Sequence, residues 1–97
     1  MHINGFPVYG DGYWAEVKMQ DQYLRLFSGV YELGHVALVY DMNAHCDIDR
    51  QNADDLEDAK KKAEKIAAEY VRRMTNATLP PVEWKMNAQT KLRTEQF

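Results

Sequence analysis

One short stretch of the chain places nitrogen, sulfur and oxygen donors close enough together to raise the question of a metal site. It contains His45, Cys46, Asp47 and Asp49. Structural zinc sites use four ligands in closely spaced Cys and His pairs, and this stretch offers one of each. The aspartates at the first, third, ninth and twelfth positions of a calcium-type loop are Asp47, Asp49, Asp55 and Asp58. Asn52 replaces the glycine of that loop and Asp58 its final glutamate, so we expect an acidic solvated loop without a metal or cofactor.

Nucleophilic catalysis has candidates in Cys46, Ser28 and the three histidines. None of them lies in a local motif that activates a nucleophile, such as the G-x-S-x-G turn. A chain of 97 residues forms one modest core, and this chain has no glycine-rich loop that would bind phosphate. We therefore expect the protein not to be an enzyme. With one cysteine, the chain has no intramolecular disulfide.

A group of lysines provides the chemistry for binding phosphate. It consists of Lys60, Lys61, Lys62 and Lys65. Residues 58–68 resemble the final helix of double-stranded-RNA-binding domains, where lysines near the helix start contact phosphates. Here four carboxylates precede the lysines and would repel phosphate, so we expect a solvated helix face and no direct nucleic-acid binding. A small RNA- or DNA-binding module using Lys60–Lys62 stays the alternative.

Acidic residues are concentrated in the first part of the chain. Residues 1–58 carry eleven acidic and three basic residues, and residues 59–97 carry four acidic and nine basic residues. Between positions 41 and 58, seven carboxylates accompany one arginine, Arg50. They are Asp41, Asp47, Asp49, Asp54, Asp55, Glu57 and Asp58. A helix dipole explains acids at a helix start but not the first three, so we expect all seven to lie along one end or edge and bind a partner.

Alternating polar and apolar residues predict strands over residues 13–19 and 22–28, joined by a polar turn into a hairpin. A nearly continuous run of β-branched and aromatic residues predicts a third, central strand over residues 35–41. Residues 3–9 are expected to add a strand. Their proline, Pro7, lacks a backbone N–H for the ladder and would confine this strand to an edge of the sheet. Residues 82–86 are expected to return as a short strand.

After Asn52, apolar residues recur at steps of three and four, which predicts an amphipathic helix of about six turns. Asn52 is expected to cap its first turn, and Asn76 with the following Pro80-Pro81 to end it. The helix residues expected to face the sheet are Leu56, Ala63, Ile66, Ala67, Tyr70 and Met74. The sheet residues expected to meet them are Val17, Leu24, Leu26, Val36 or Leu38.

These elements predict an α+β fold, with an antiparallel sheet of three to five strands and one long amphipathic helix packed on a face. We expect residues 1–86 to form a single domain and residues 87–97 a frayed polar tail. No secretory signal or membrane-spanning run is evident, so a cytoplasmic protein is expected. Trp14 shares a strand face with Glu16 and Lys18, and either a helix or a partner can cover it.

In size, acidity, lack of a catalytic motif and sheet-then-helix order, the chain resembles the small phage-encoded anti-CRISPR proteins of the DNA-mimic type. The resemblance is one of general character over the whole chain. It implies a non-enzymatic inhibitor that binds the basic DNA-binding surface of a CRISPR surveillance complex and blocks target DNA by charge mimicry. The alternatives are the nucleic-acid-binding module above and a structural or accessory phage protein.

Overall fold

The structure is a computed structural model that describes residues 2–3, 6–7, 12–31 and 34–86. Its main sheet consists of β3 (Gly12–Lys18), β4 (Tyr23–Tyr31), β5 (Gly34–Asp41), β6 (Cys46–Ala53) and β7 (Lys85–Met86). These five antiparallel strands are arranged in the order β6-β5-β4-β3-β7. A single helix of the described residues, α1 (Leu56–Thr75), packs across β4, β5 and β6. The predicted α+β fold is confirmed, and the tail predicted at residues 87–97 lies outside the described residues.

The opening of the chain does not extend the main sheet within its described residues. The strands β1 (His2–Ile3) and β2 (Phe6–Pro7) pair with each other in a separate two-stranded sheet. The prediction of an edge strand over residues 3–9 is therefore wrong for the part that the structure describes.

The predicted hairpin is confirmed as β3 and β4, which pair in register from Gly12 opposite Gly29 to Lys18 opposite Tyr23. The backbone N–H of Met19 donates to the carbonyl of Gln22 and closes the turn. The middle strand of the sheet is β4, flanked by β3 and β5, whereas β5 was predicted to be central. An apolar run shows that a strand is buried, but it does not order the interior strands.

Strand β6 replaces what was predicted as a loop and the start of the helix. It lies at an edge, and most of its side chains are exposed, so no strong alternation marks it in the sequence. A bulge shifts its register against β5 between Val39 and Tyr40. Asn52 lies in this strand, and the N-cap of α1 is Asp55 instead. At the other end, Asn76 takes the left-handed conformation and ends the helix as predicted.

Both faces of the sheet carry buried apolar residues. The residues that pack with the helix are Ala15, Val17, Leu24, Leu26, Ala37, Val39, Ala59, Ala63, Ile66, Ala67 and Val71. The second face, away from α1, holds Phe27, Val36, Leu38 and Tyr40, with Trp14 and Met42 packed beside them. Val36 and Leu38 were predicted to meet the helix, but the structure places them on the second face. Because β5 is apolar on both sides, its sequence does not show which set faces α1.

The helix stripe is confirmed in its middle and wrong at its end. Ala63, Ile66 and Ala67 are buried, and Tyr70 packs at the margin of the core. Met74, in the last turn of the helix, is 58% exposed. After the helix, residues 77–84 return along the core, where the Trp84 Nε1 donates to Glu64 (3.1 Å) before β7 pairs with β3.

Candidate functional site

Four exposed carboxylates from residues 41–58 follow one edge of the sheet. Asp47 and Asp49 lie on edge strand β6, and Asp54 and Asp55 connect that strand to α1. All four residues are exposed. Asp49 accepts from the backbone N–H of Arg50 (2.8 Å) and from the Gln51 side chain (3.0 Å), and the lysine ion pairs on α1 are formed by Glu57 and Asp58 instead. At about 3.3 Å per residue, Asp47 and Asp54 are separated by roughly 23 Å along the chain direction. We call these four residues the acidic edge.

Asp41 is not part of the acidic edge, because it is 5% exposed and both of its carboxylate oxygens accept hydrogen bonds inside the fold. One carboxylate oxygen accepts from the backbone N–H of Asn43 (2.9 Å) and of Ala44 (3.0 Å). The other accepts from the Tyr70 hydroxyl at 2.6 Å. Asp41 thus orders the turn that leads into β6 and ties it to the helix, which is a structural role.

The environment of this pair shifts both of its titrations. Burial acts to raise the pKa of Asp41, but the hydrogen bonds from Tyr70, Ala44 and Asn43 outweigh it and hold the pKa below its ordinary value. The hydrogen bond to Asp41 raises the pKa of Tyr70 to about 12. The sequence pattern did not identify Tyr70 as a polar partner, although a hydroxyl at the margin of an aliphatic helix stripe calls for an acceptor.

The carboxylates at the helix start are partly used for capping. The Asp55 side chain accepts from the backbone N–H of Asp58 (2.7 Å), and the Asp58 side chain accepts from the backbone N–H of Asp54 (2.9 Å). The first of these bonds satisfies a donor that a helix leaves unpaired in its first turn, and the second holds the residue before the N-cap. The hydrogen bond from Asp54, reinforced by Lys62, lowers the pKa of Asp58.

The lysines that follow are committed to local contacts. The Lys60 Nζ lies 2.9 Å from Glu57 Oε2 and 3.6 Å from the centre of the Tyr13 ring. The Lys62 Nζ lies 3.2 Å from Asp58 and donates to the Asn52 carbonyl at 2.8 Å. Glu57 and Asp58 are therefore neutralised by neighbours on α1. This geometry does not favour a phosphate site at Lys60–Lys62, since two of its three cations already have partners.

Two of the candidate nucleophiles, Ser28 and Cys46, lie on different strands, β4 and β6. The Ser28 hydroxyl is buried and donates to the Leu56 carbonyl at 2.6 Å, which joins the middle strand to the helix start. Cys46 is an exposed free thiol at the first position of β6, and His45 precedes it with a left-handed backbone. Among the described residues, no three His, Cys, Asp or Glu side chains are grouped so as to hold a metal ion.

Comparison with protein-family models, curated proteins and solved structures gives no match to this chain. In the part of the chain that the structure describes, no helix has the length and apolarity of a transmembrane segment.

Proposed function

We propose that the protein is a small, non-enzymatic inhibitor that imitates the charge of DNA and blocks a basic nucleic-acid-binding surface. The observation that carries this proposal is the acidic edge: Asp47, Asp49, Asp54 and Asp55 are exposed along one edge of the sheet, whereas the helix lysines pair with Glu57 and Asp58. A row of exposed carboxylates is attractive to a surface of lysines and arginines that otherwise binds phosphates.

The shape of the acidic edge also supports this proposal. An edge strand is extended and solvated, so its carboxylates form a row rather than a compact cluster. Duplex DNA likewise presents its charges in rows, about one per 1.7 Å of axis when both strands are counted. The carboxylates are more widely spaced than phosphates, and we infer that they replace a few phosphate contacts of the partner rather than a continuous backbone.

As the sequence resemblance implies, we infer that the partner is the DNA-binding surface of a CRISPR surveillance complex or of a related defence enzyme in the bacterial cytoplasm. Of the seven carboxylates that the sequence proposed as partner contacts, we retain the four of the acidic edge. Asp41 is buried, and Glu57 and Asp58 are paired with Lys60 and Lys62, so the acidic edge supplies the main contacts. A structural phage protein remains the competing proposal, because charges on edge strands also prevent aggregation.

Capture from a bacterial lysate tests the proposal directly. The immobilised protein should retain a nucleic-acid-binding protein or complex that duplex DNA then releases competitively, and retention should fall as salt rises. Captured proteins that excess duplex DNA does not release would contradict charge mimicry and favour the structural role.

A further inference from the structure

A second charged surface lies on the second face of the sheet, at the edge opposite β6. It is formed by Trp14, Glu16 and Lys18 from β3, Tyr23 and Arg25 from β4, and Lys85 from β7. Strand pairing places Lys85 beside Trp14, Glu16 beside Arg25, and Lys18 beside Tyr23. We call these six residues the cationic face.

Cations and aromatic rings alternate across this surface. The Lys85 Nζ lies 5.0 Å from the centre of the Trp14 ring, and the Arg25 guanidinium lies 5.8 Å from it. The Lys18 Nζ lies 5.0 Å from the centre of the Tyr23 ring. Since Trp14 and Lys18 are four residues apart on β3, the two lysine–ring pairs are separated by about 13 Å along the strand.

The single carboxylate of the cationic face is already bound within it. Glu16 accepts a hydrogen bond from the Tyr23 hydroxyl and lies 3.8 Å from Arg25. Lys18 and Lys85 are exposed, and neither forms an ion pair with a described residue. The Arg25 Nε is buried and has no hydrogen-bond partner. The surface is therefore positively charged and has unused donors, although the whole chain is net negative.

We propose that the cationic face binds single-stranded nucleic acid. Exposed lysines at this spacing contact backbone phosphates, and a base stacks on the half-buried ring of Trp14 or Tyr23 when the lysine over that ring turns to a phosphate. A single strand is favoured over a duplex because only unpaired bases expose their faces to aromatic rings. An acidic peptide would satisfy the lysines but would leave the rings without a stacking partner.

The acidic edge does not prevent this binding, because it lies across the sheet. Strands lie about 4.8 Å apart, so β7 with Lys85 is roughly 19 Å from β6, and β4 with Tyr23 and Arg25 is roughly 10 Å from it. The Debye length is about 8 Å at physiological ionic strength, so repulsion from the far edge is largely screened. This site goes beyond the proposed function and does not depend on it. It also departs from the sequence-based expectation against nucleic-acid contact, which concerned the helix lysines.

A fluorescence titration with a labelled single-stranded oligonucleotide of about 12 nucleotides tests the proposal at low salt. The chain has two tryptophans, so Trp84→Phe leaves Trp14 as the reporter. Its emission should be quenched on binding.

The variant Lys18→Gln with Lys85→Gln should weaken binding about tenfold and reduce the salt slope by about 0.7 per lysine. The matched control, Lys61→Gln with Lys65→Gln, removes the same charge from exposed positions on α1 and should change affinity less than twofold.

Three outcomes would overturn the proposal. The first is no binding of the single strand by the parent protein, and the second is an equal loss in both lysine pairs. The third is competition by polyglutamate or duplex DNA that is as strong as competition by unlabelled single strand, because either result would remove the role of base stacking.

Discussion

At the residue scale, the most informative contact is the hydrogen bond between Tyr70 and the buried Asp41. It joins the helix to the turn before β6, and its loss would leave a buried carboxylate with one acceptor position unsatisfied. Tyr70→Phe should therefore lower the free energy of unfolding by about 1–3 kcal/mol. Urea denaturation measures this loss, and a variant as stable as the parent would show that the contact contributes nothing.

The same pair predicts how stability depends on pH. The pKa of Asp41 is lower in the folded protein, so its contribution is present above the ordinary value near 3.8 and is lost as pH falls through the folded value. The pKa of Tyr70 is raised to about 12, so its contribution is present below about pH 10 and is lost between pH 10 and 12. Tyr70→Phe should remove the alkaline component from thermal-unfolding profiles. Identical alkaline profiles in both proteins would contradict this assignment.

Gly12 provides a second test at a single residue. Its φ is 143°, and a Cβ there would overlap the Ser28 carbonyl and the Gly29 Cα. Gly12→Ala should destabilise the fold by at least about 1–3 kcal/mol, because strain and overlap add. At Gly34 a Cβ would meet no atom within 4 Å, so Gly34→Ala is the control and should change the melting temperature little. Equal effects at both positions would argue against the close approach of β3 to β4 at Gly12.

At the scale of elements, the structure separates what the sequence pattern determines from what it does not. The hairpin and α1 were predictable because apolar and polar residues alternate along β3 and the first half of β4, and because α1 has one buried and one polar side. Strand β6 was missed because an exposed edge buries few side chains, chiefly Ile48 and Ala53, and so leaves no alternation over its length. The faces of β5 were not predictable because both are apolar.

The candidate site was predictable only in composition. The seven carboxylates are evident in the sequence, but the burial of Asp41 depends on tertiary contacts, whereas the pairing of Glu57 and Asp58 with lysines depends on local ones. The pairing of Lys60 and Lys62 to these acids follows the helical spacing and could have been predicted from it. The contact of Asp41 with Tyr70 spans 29 residues, and no local pattern signals it.

The packing of α1 is tested by a charge in its buried stripe. Ile66 is 6% exposed within the helix-side core. Ile66→Asp should abolish cooperative unfolding, since an unpaired carboxylate is placed among apolar side chains. Lys65→Asp also introduces an aspartate, at the exposed neighbouring position, and should keep a cooperative transition. A native-like transition in Ile66→Asp, measured by circular dichroism, would refute the packing of this helix face.

At the scale of the whole molecule, the described surface carries opposite charges at opposite edges of one sheet. The acidic edge follows β6, whereas Lys18, Arg25 and Lys85 lie on the second face, on β3, β4 and β7 respectively. This arrangement fits a protein that contacts a basic surface with one edge while the other stays available to an anion. The formal charge of −3 hides this division.

If the acidic edge replaces phosphates on a DNA-binding partner, the protein and duplex DNA must compete for that partner. This competition is measured with the captured partner. The variant combines Asp47→Asn, Asp49→Asn and Asp54→Asn and keeps Asp55 as the helix cap. Its control removes three exposed carboxylates elsewhere, through Asp21→Asn, Glu69→Gln and Glu83→Gln. Both variants should keep the parent's fold, because each change lies at an exposed position.

If the acidic edge replaces phosphates, the acidic-edge variant should bind its partner about 5- to 150-fold more weakly, from a loss of about 1–3 kcal/mol over three contacts, and should no longer displace DNA effectively. The control should displace DNA nearly as well as the parent. If the acidic-edge variant stays folded and displaces DNA as well as the parent does, the carboxylates of β6 are only a solvated sheet edge and charge mimicry is wrong.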